Sequence, residues 1–140
     1  MGYPYSRSAR ILVVDGEPAA LRAVTRMLPE DQVEGATRID VGRQRVIEAE
    51  QEGYPFSIVL CDIELDEGRG VELLRTCREQ REVPLFVFMS RIELVTEAGW
   101  LSDDVLVKPF SADEVMSTIA RLLLRRSNAR TRRRAAITLN

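Results

Sequence analysis

Asp15, Asp62 and Lys108 each stand at the end of an apolar run: Ile11-Leu12-Val13-Val14, Phe56-Ser57-Ile58-Val59-Leu60-Cys61 and Val105-Leu106-Val107. Two carboxylates and one ammonium on a common rim would equip a protein for Mg²⁺-assisted phosphoryl chemistry. Mg²⁺ is hard and takes oxygen ligands. The metal and an ammonium both neutralise a transferring phosphoryl group. One carboxylate can act as nucleophile and form an acyl phosphate. An Asp closing a strand is also a common helix cap, so it is the combination that carries weight. Other chemistries are excluded by composition. The chain has no histidine, so it holds no Ser-His-Asp or Cys-His unit, no His-ligated zinc and no phosphohistidine of its own. Of its 20 basic residues only Lys108 is lysine, and a compact ammonium is not interchangeable with a guanidinium fork.

The elements that must position these residues alternate. Ile11–Val14 reads as strand 1. Pro18, Leu21, Val24 and Leu28 begin and face a first helix. Strand 2 falls within 32–40, and a second helix runs from Val41 to Glu52, closed by Gly53. Phe56–Cys61 is strand 3. Val71, Leu74 and Cys77 follow helical spacing after Gly68 and Gly70. Leu85–Met89 is strand 4, Arg91–Ala98 a short helix and Val105–Val107 strand 5. Ser111 and Glu114 form a capping box for a last helix through Val115, Ile119, Leu122 and Leu123. Near-continuous apolar strands between helices read as a parallel sheet covered on both faces. The expectation is α/β, an open (βα)5 sheet over 9–125. An N-terminal extension (1–8) and an Arg-rich tail (126–140) flank it.

One domain of this size can bury a real core. Nothing approaches a bilayer span or a signal peptide. Cys61 and Cys77 read as reduced core residues of a cytoplasmic protein. Residues 1–120 carry 13 basic and 22 acidic residues, whereas 121–140 carry seven Arg and no acid. That tail is read as a solvated end, with weak nucleic-acid or anionic-membrane binding as the alternative.

ILVVDGEPAALRAVTRML (11–28), FSIVLCDIELDEGRGVELLRTCRE (56–79), VPLFVFMS (83–90) and VLVKPFSADEV (105–115) together resemble the receiver domain of bacterial two-component response regulators. The resemblance spans nearly all of 9–125. It implies a three-layer, doubly wound, flavodoxin-like sheet of order 2-1-3-4-5. It implies Asp62 as phospho-acceptor and Mg²⁺ held by Asp15, Asp62 and the Glu64 carbonyl. Lys108 would stabilise the phosphoryl group, and Lys108-Pro109 would be a cis bend. Gly70 matches the glycine after the acceptor loop. The partner would be a sensor histidine kinase or phosphotransfer protein. No activity beyond phosphorylation and dephosphorylation of Asp62 is expected, and homodimerisation would use the helix 4–strand 5–helix 5 face.

Several positions depart from the family pattern. Gly16 stands where a second acid usually binds the metal, and Glu17 is a candidate to reach in instead. Met89 stands at the switch hydroxyl, with Ser90 a second candidate one residue on. Val105 replaces a usual aromatic, Asp66 a proline and Arg69 an aspartate. The stretch from Ser90 to Lys108 is short, so helix 4 is expected to be shortened. Trp100, in that stretch, reads as core or a surface plug. The preferred reading is an atypical receiver with a weakened Mg²⁺ site and an altered or lost switch. The alternative is a pseudo-receiver serving as a docking module. An Asp-based phosphatase built on Asp15-Gly16-Glu17 is a minor third. No output domain is legible, so the chain is a single-domain regulator or part of a longer one.

Overall fold

The computed structural model describes residues 9–139; the expected extension at 1–8 lies outside them. Five parallel strands, β1 (Ile11–Val14), β2 (Val33–Ala36), β3 (Ile58–Asp62), β4 (Leu85–Ser90) and β5 (Asp104–Val107), form one sheet of order β2-β1-β3-β4-β5. The doubly wound, flavodoxin-like expectation is met. The helices are α1 (Pro18–Arg26), α2 (Ile39–Gln51), α3 (Gly70–Arg78), α4 (Val95–Leu101) and α5 (Ala112–Leu139). A single helical turn, Leu65–Gly68, precedes α3, and a 3-10 turn, Ile92–Leu94, precedes α4.

Alternation along each strand divides the core into two layers. Leu12, Val14, Val59, Cys61, Phe86 and Phe88 face one way and pack with Ile39 and Val46 of α2, Leu73 and Cys77 of α3 and Ala98 of α4. Ile11, Val13, Ile58, Leu60, Val87 and Met89 face the other way, against Val24 of α1 and Val115, Ile119 and Leu122 of α5. All four residues of β1 are fully buried. This is why the strands read as unbroken apolar runs rather than as alternating ones.

The local signals act as expected at several ends. Gly53 adopts a φ of +79° just past α2, the left-handed conformation that glycine tolerates best. Ser111 Oγ accepts the Glu114 N–H at 3.1 Å, and Glu114 Oε1 accepts the Ser111 N–H at 3.3 Å, which closes the capping box.

Three expectations change. The last helix does not give way to a non-helical tail at 126 but runs to Leu139. Arg, Ala and Leu are strong helix formers, and no Gly or Pro interrupts the segment. Trp100 is neither core nor plug, being 86% exposed. The short helix after β4 begins with a 3-10 turn and reaches Leu101, so its regular part lies C-terminal to the expected 91–98.

Two predictions follow from this packing. Phe86 is 1% exposed and meets Phe88 edge-on at 4.9 Å. Phe86→Ala is expected to cost about 3–5 kcal/mol in urea denaturation. Burial pushes the Cys77 thiol up to about 12, with Arg78 offsetting slightly. The unfolded thiol titrates near ~8.5. Between those values the unfolded chain releases a proton that the folded one keeps. Stability is then fully present below ~8.5 and falls by about 1.4 kcal/mol per pH unit toward 12. Cys61 shifts the same way. Cys77→Ala should lower stability at neutral pH but flatten this alkaline decline.

Candidate functional site

The carboxyl ends of β1, β3, β4 and β5 make one rim. Asp15 follows β1, with its N–H donated to Ala36 O at 3.1 Å, and Asp62 is the last residue of β3. Lys108 follows β5, with its N–H donated to Ser90 O at 2.8 Å. The Lys108-Pro109 peptide is cis.

The three side chains converge. Lys108 Nζ lies 3.2 Å from Asp15 Oδ2 and 3.5 Å from Asp62 Oδ2. The remaining oxygens are used alike: Asp15 Oδ1 accepts the Glu17 N–H and Asp62 Oδ1 the Glu64 N–H, each at 3.0 Å. Asp15 is sealed, with a side chain 1% exposed, while Asp62 is 16% exposed and open to an incoming group. A buried carboxylate needs a partner, and Lys108 serves both. Burial alone would pull the Lys108 ammonium down, but the charges of Asp62 and then Asp15 outweigh it and raise its pKa. The ammonium therefore stays charged across the neutral range.

The departures from the family pattern can now be placed. Asp62 pairs in register with Met89, and both belong to the alternation that faces α1 and α5. A fully buried thioether thus stands beside Asp62, at the position where the resemblance implies a hydroxyl. Ser90 continues the face of Phe86 and Phe88. The register of β4 with β3 and β5 runs without a bulge to return it, and its hydroxyl donates to Arg91 O at 2.8 Å. Glu17 holds Asp15 through its backbone N–H; its exposed carboxylate makes no ion pair among the described residues. Val105 is half-buried and packs with the α2–α3–α4 core layer.

Two participants escaped the sequence reading. Arg91, just past β4, pairs with Glu64 at 2.5 Å across neighbouring strand ends. Leu65 fills the space beside Gly16: a Cβ there would meet Leu65 Cδ1. The only sequence signal for either was proximity to a strand end already in use. Asp66, with φ +50°, accepts the Ile39 N–H at 3.2 Å, so it starts α2 rather than serving the site.

Asp15, Asp62 and the Glu64 carbonyl are hard oxygen donors of the kind Mg²⁺ takes. They make a reduced set, because Gly16 adds none. Among the described residues, no group of three or more Asp, Glu, Cys or His side chains is gathered as a metal cage.

The fold and rim define a class: an open α/β sheet with a partly exposed carboxylate, a buried companion and a lysine at the strand ends. Residues 11–120 match the response regulator receiver domain. The transcriptional regulatory protein PrrA of Mycobacterium tuberculosis (strain ATCC 25618 / H37Rv) is 32% identical over 136 residues, covering 94% of this chain and 57% of PrrA. Transcriptional regulatory protein ResD of Bacillus subtilis (strain 168) is 30% identical over 127 residues, covering 87% and 51%. Among solved structures, a CheY-like receiver domain protein from Methanospirillum hungatei JF-1 superposes with a TM-score of 0.71 at 23% identity, over 86% of this chain and 98% of that one. The chain belongs to the response regulator receiver family of two-component signalling. It spans about half the length of the curated relatives it matches. No described helix is long and apolar enough to cross a membrane.

Gly16→Asp would add a third carboxylate once Leu65 turns aside. Mg²⁺ affinity by calorimetry is expected to rise about tenfold or more, the worth of one charge-assisted contact. Combining it with Leu65→Ala should raise affinity further. Unchanged affinity in both would show that the missing acid is not what limits binding.

Proposed function

We propose that this domain is an atypical receiver: Asp62 accepts a phosphoryl group through a weakened Mg²⁺ site, and the switch that normally reports it is altered or lost. The carrying observation is the shared Lys108, which sits between Asp15 and the more open Asp62 while Met89 lines the acceptor. The donor would be a phosphohistidine on a sensor kinase or phosphotransfer protein, or a small acyl phosphate. An Asp62 oxygen attacks phosphorus, the bond to the donor nitrogen or oxygen breaks, and the leaving group keeps that electron pair. Lys108 then balances charge on the new acyl phosphate. When bound, Mg²⁺ would add neutralising charge on the phosphoryl oxygens, held by Asp15, Asp62 and the Glu64 carbonyl.

Sensing is a separate matter. A thioether donates no hydrogen bond, so Met89 gives the phosphoryl group nothing to pull. Val105 offers no aromatic ring to follow. A docking module without phosphorylation is the second reading. It is favoured by the exposed Trp100 and Ile92 beside β5 and by a Lys108 that already satisfies both carboxylates.

Incubation with Mg²⁺ and acetyl phosphate is expected to add the mass of one phosphoryl group, and none in Asp62→Ala. No addition in the wild type would favour the docking module. Amide shifts on phosphorylation should stay near the strand ends in the wild type and spread along β4 and β5 in Met89→Thr.

A further inference from the structure

In the body, Arg10, Arg38, Arg45, Arg69 and Arg91 all pair with carboxylates. On α5 only Arg121 does, with Asp104. The guanidinium groups of Arg125, Arg126, Arg130, Arg132, Arg133 and Arg134 form no ion pair or hydrogen bond among the described residues. Arginines without a carboxylate partner occur in the body as well, at Arg22, Arg26, Arg75 and Arg81 among the described residues, so it is their clustering that sets those of α5 apart. Like charges spaced three or four apart on a helix repel, and no acid follows residue 114.

Four of the unpaired arginines are gathered. Arg125, Arg126, Arg130 and Arg133 line a groove of about 390 Å³. Leu85, where β4 begins, and Asp103, just before β5, place this groove at the amino edge of the sheet, opposite the Asp62 rim. Leu122 and Ala129 add apolar wall. Asp103 is the one carboxylate in the lining, and its Oδ2 already accepts the Phe86 N–H at 2.7 Å. Arg126 is half-buried; burial and then Arg130 hold its pKa below the ordinary value. Arg126 and Arg130, one turn apart on α5, thus bring like charges together in the groove, with Asp103 the opposing charge.

We propose that this groove binds a small phosphate-bearing anion of the pyrophosphate or nucleoside diphosphate class. Guanidinium forks match phosphate oxygens two at a time. The volume falls in the range of small-molecule sites, about 300–1,000 Å³, and the apolar wall suits a base or other flat group. A nucleic-acid backbone offers the same oxygens. It would, however, also draw on Arg132 and Arg134, which lie off the face shared by Leu122, Arg126, Ala129 and Arg133.

Calorimetry on the full chain at physiological salt, with pyrophosphate and separately with adenosine diphosphate, tests this. One saturable site is expected, weakened about tenfold or more by Arg126→Gln and by Arg133→Gln, the loss of a charge-assisted hydrogen bond. Arg133 is exposed, so its variant answers even if Arg126→Gln perturbs folding. Arg132→Gln and Arg134→Gln should leave affinity unchanged. No binding, or an equal loss in all four variants, would overturn the proposal. So would duplex DNA binding more tightly than pyrophosphate with all four variants weakened alike, which would assign the arginines to a nucleic-acid backbone.

Discussion

The rim of this receiver depends on one shared ammonium. Asp15 is buried and Asp62 nearly so, and two carboxylates brought together would repel without a cation between them. Lys108 reaches both, at 3.2 and 3.5 Å. It can do so because β1 and β3 are neighbours in the sheet and β5 lies beyond β3 with β4 between, all ending at one rim. The parallel register sets that rim, and the two core layers on either face of the sheet hold it. Two backbone N–H groups, from Glu17 and Glu64, then fix the outer oxygens. The carboxylates are thereby oriented before any metal or phosphoryl group arrives.

Around that centre stand three positions at which the chain departs from the family pattern it resembles. Met89, Val105 and Gly16 replace a hydroxyl, an aromatic ring and an acid. Each substitute contributes to packing or leaves room for it. Met89 is fully buried in the α1–α5 layer, Val105 packs on the opposite layer, and Leu65 occupies the space beside Gly16. The Glu64–Arg91 pair ties the loop after β3 to the end of β4. Apolar contact and one ion pair thus border the rim, while Asp62 itself stays partly exposed.

The fold was legible because burial on both faces leaves an unmistakable trace. β1, β3 and β4 are uninterrupted apolar runs, and the Ser111–Glu114 box and Gly53 mark ends by local hydrogen bonding and backbone freedom. Asp15, Asp62 and Lys108 were legible as strand-ending polar residues in an ordered set, and the structure brings their side chains together. Less was readable where long-range packing decides. The exposure of Trp100 could not be inferred from its type. The helical tail was missed because its arginines were read as a solvated end beyond the last helix, although arginine is a good helix former.

Local chemistry in the chain was therefore enough to specify which segments become strands and which residues end them, since both follow from periodicity and side-chain type. The tertiary structure alone decided which of those residues meet. An unbroken register leaves Ser90 on the face opposite Met89, because a one-residue step reverses a side chain. Docking of the loop after β3 puts Leu65 against Gly16. Continuation of α5 past the edge of the sheet gathers four arginines, with Asp103 the one carboxylate in the lining, into a single groove. Each depends on strand register or on packing between elements, which no local pattern specifies.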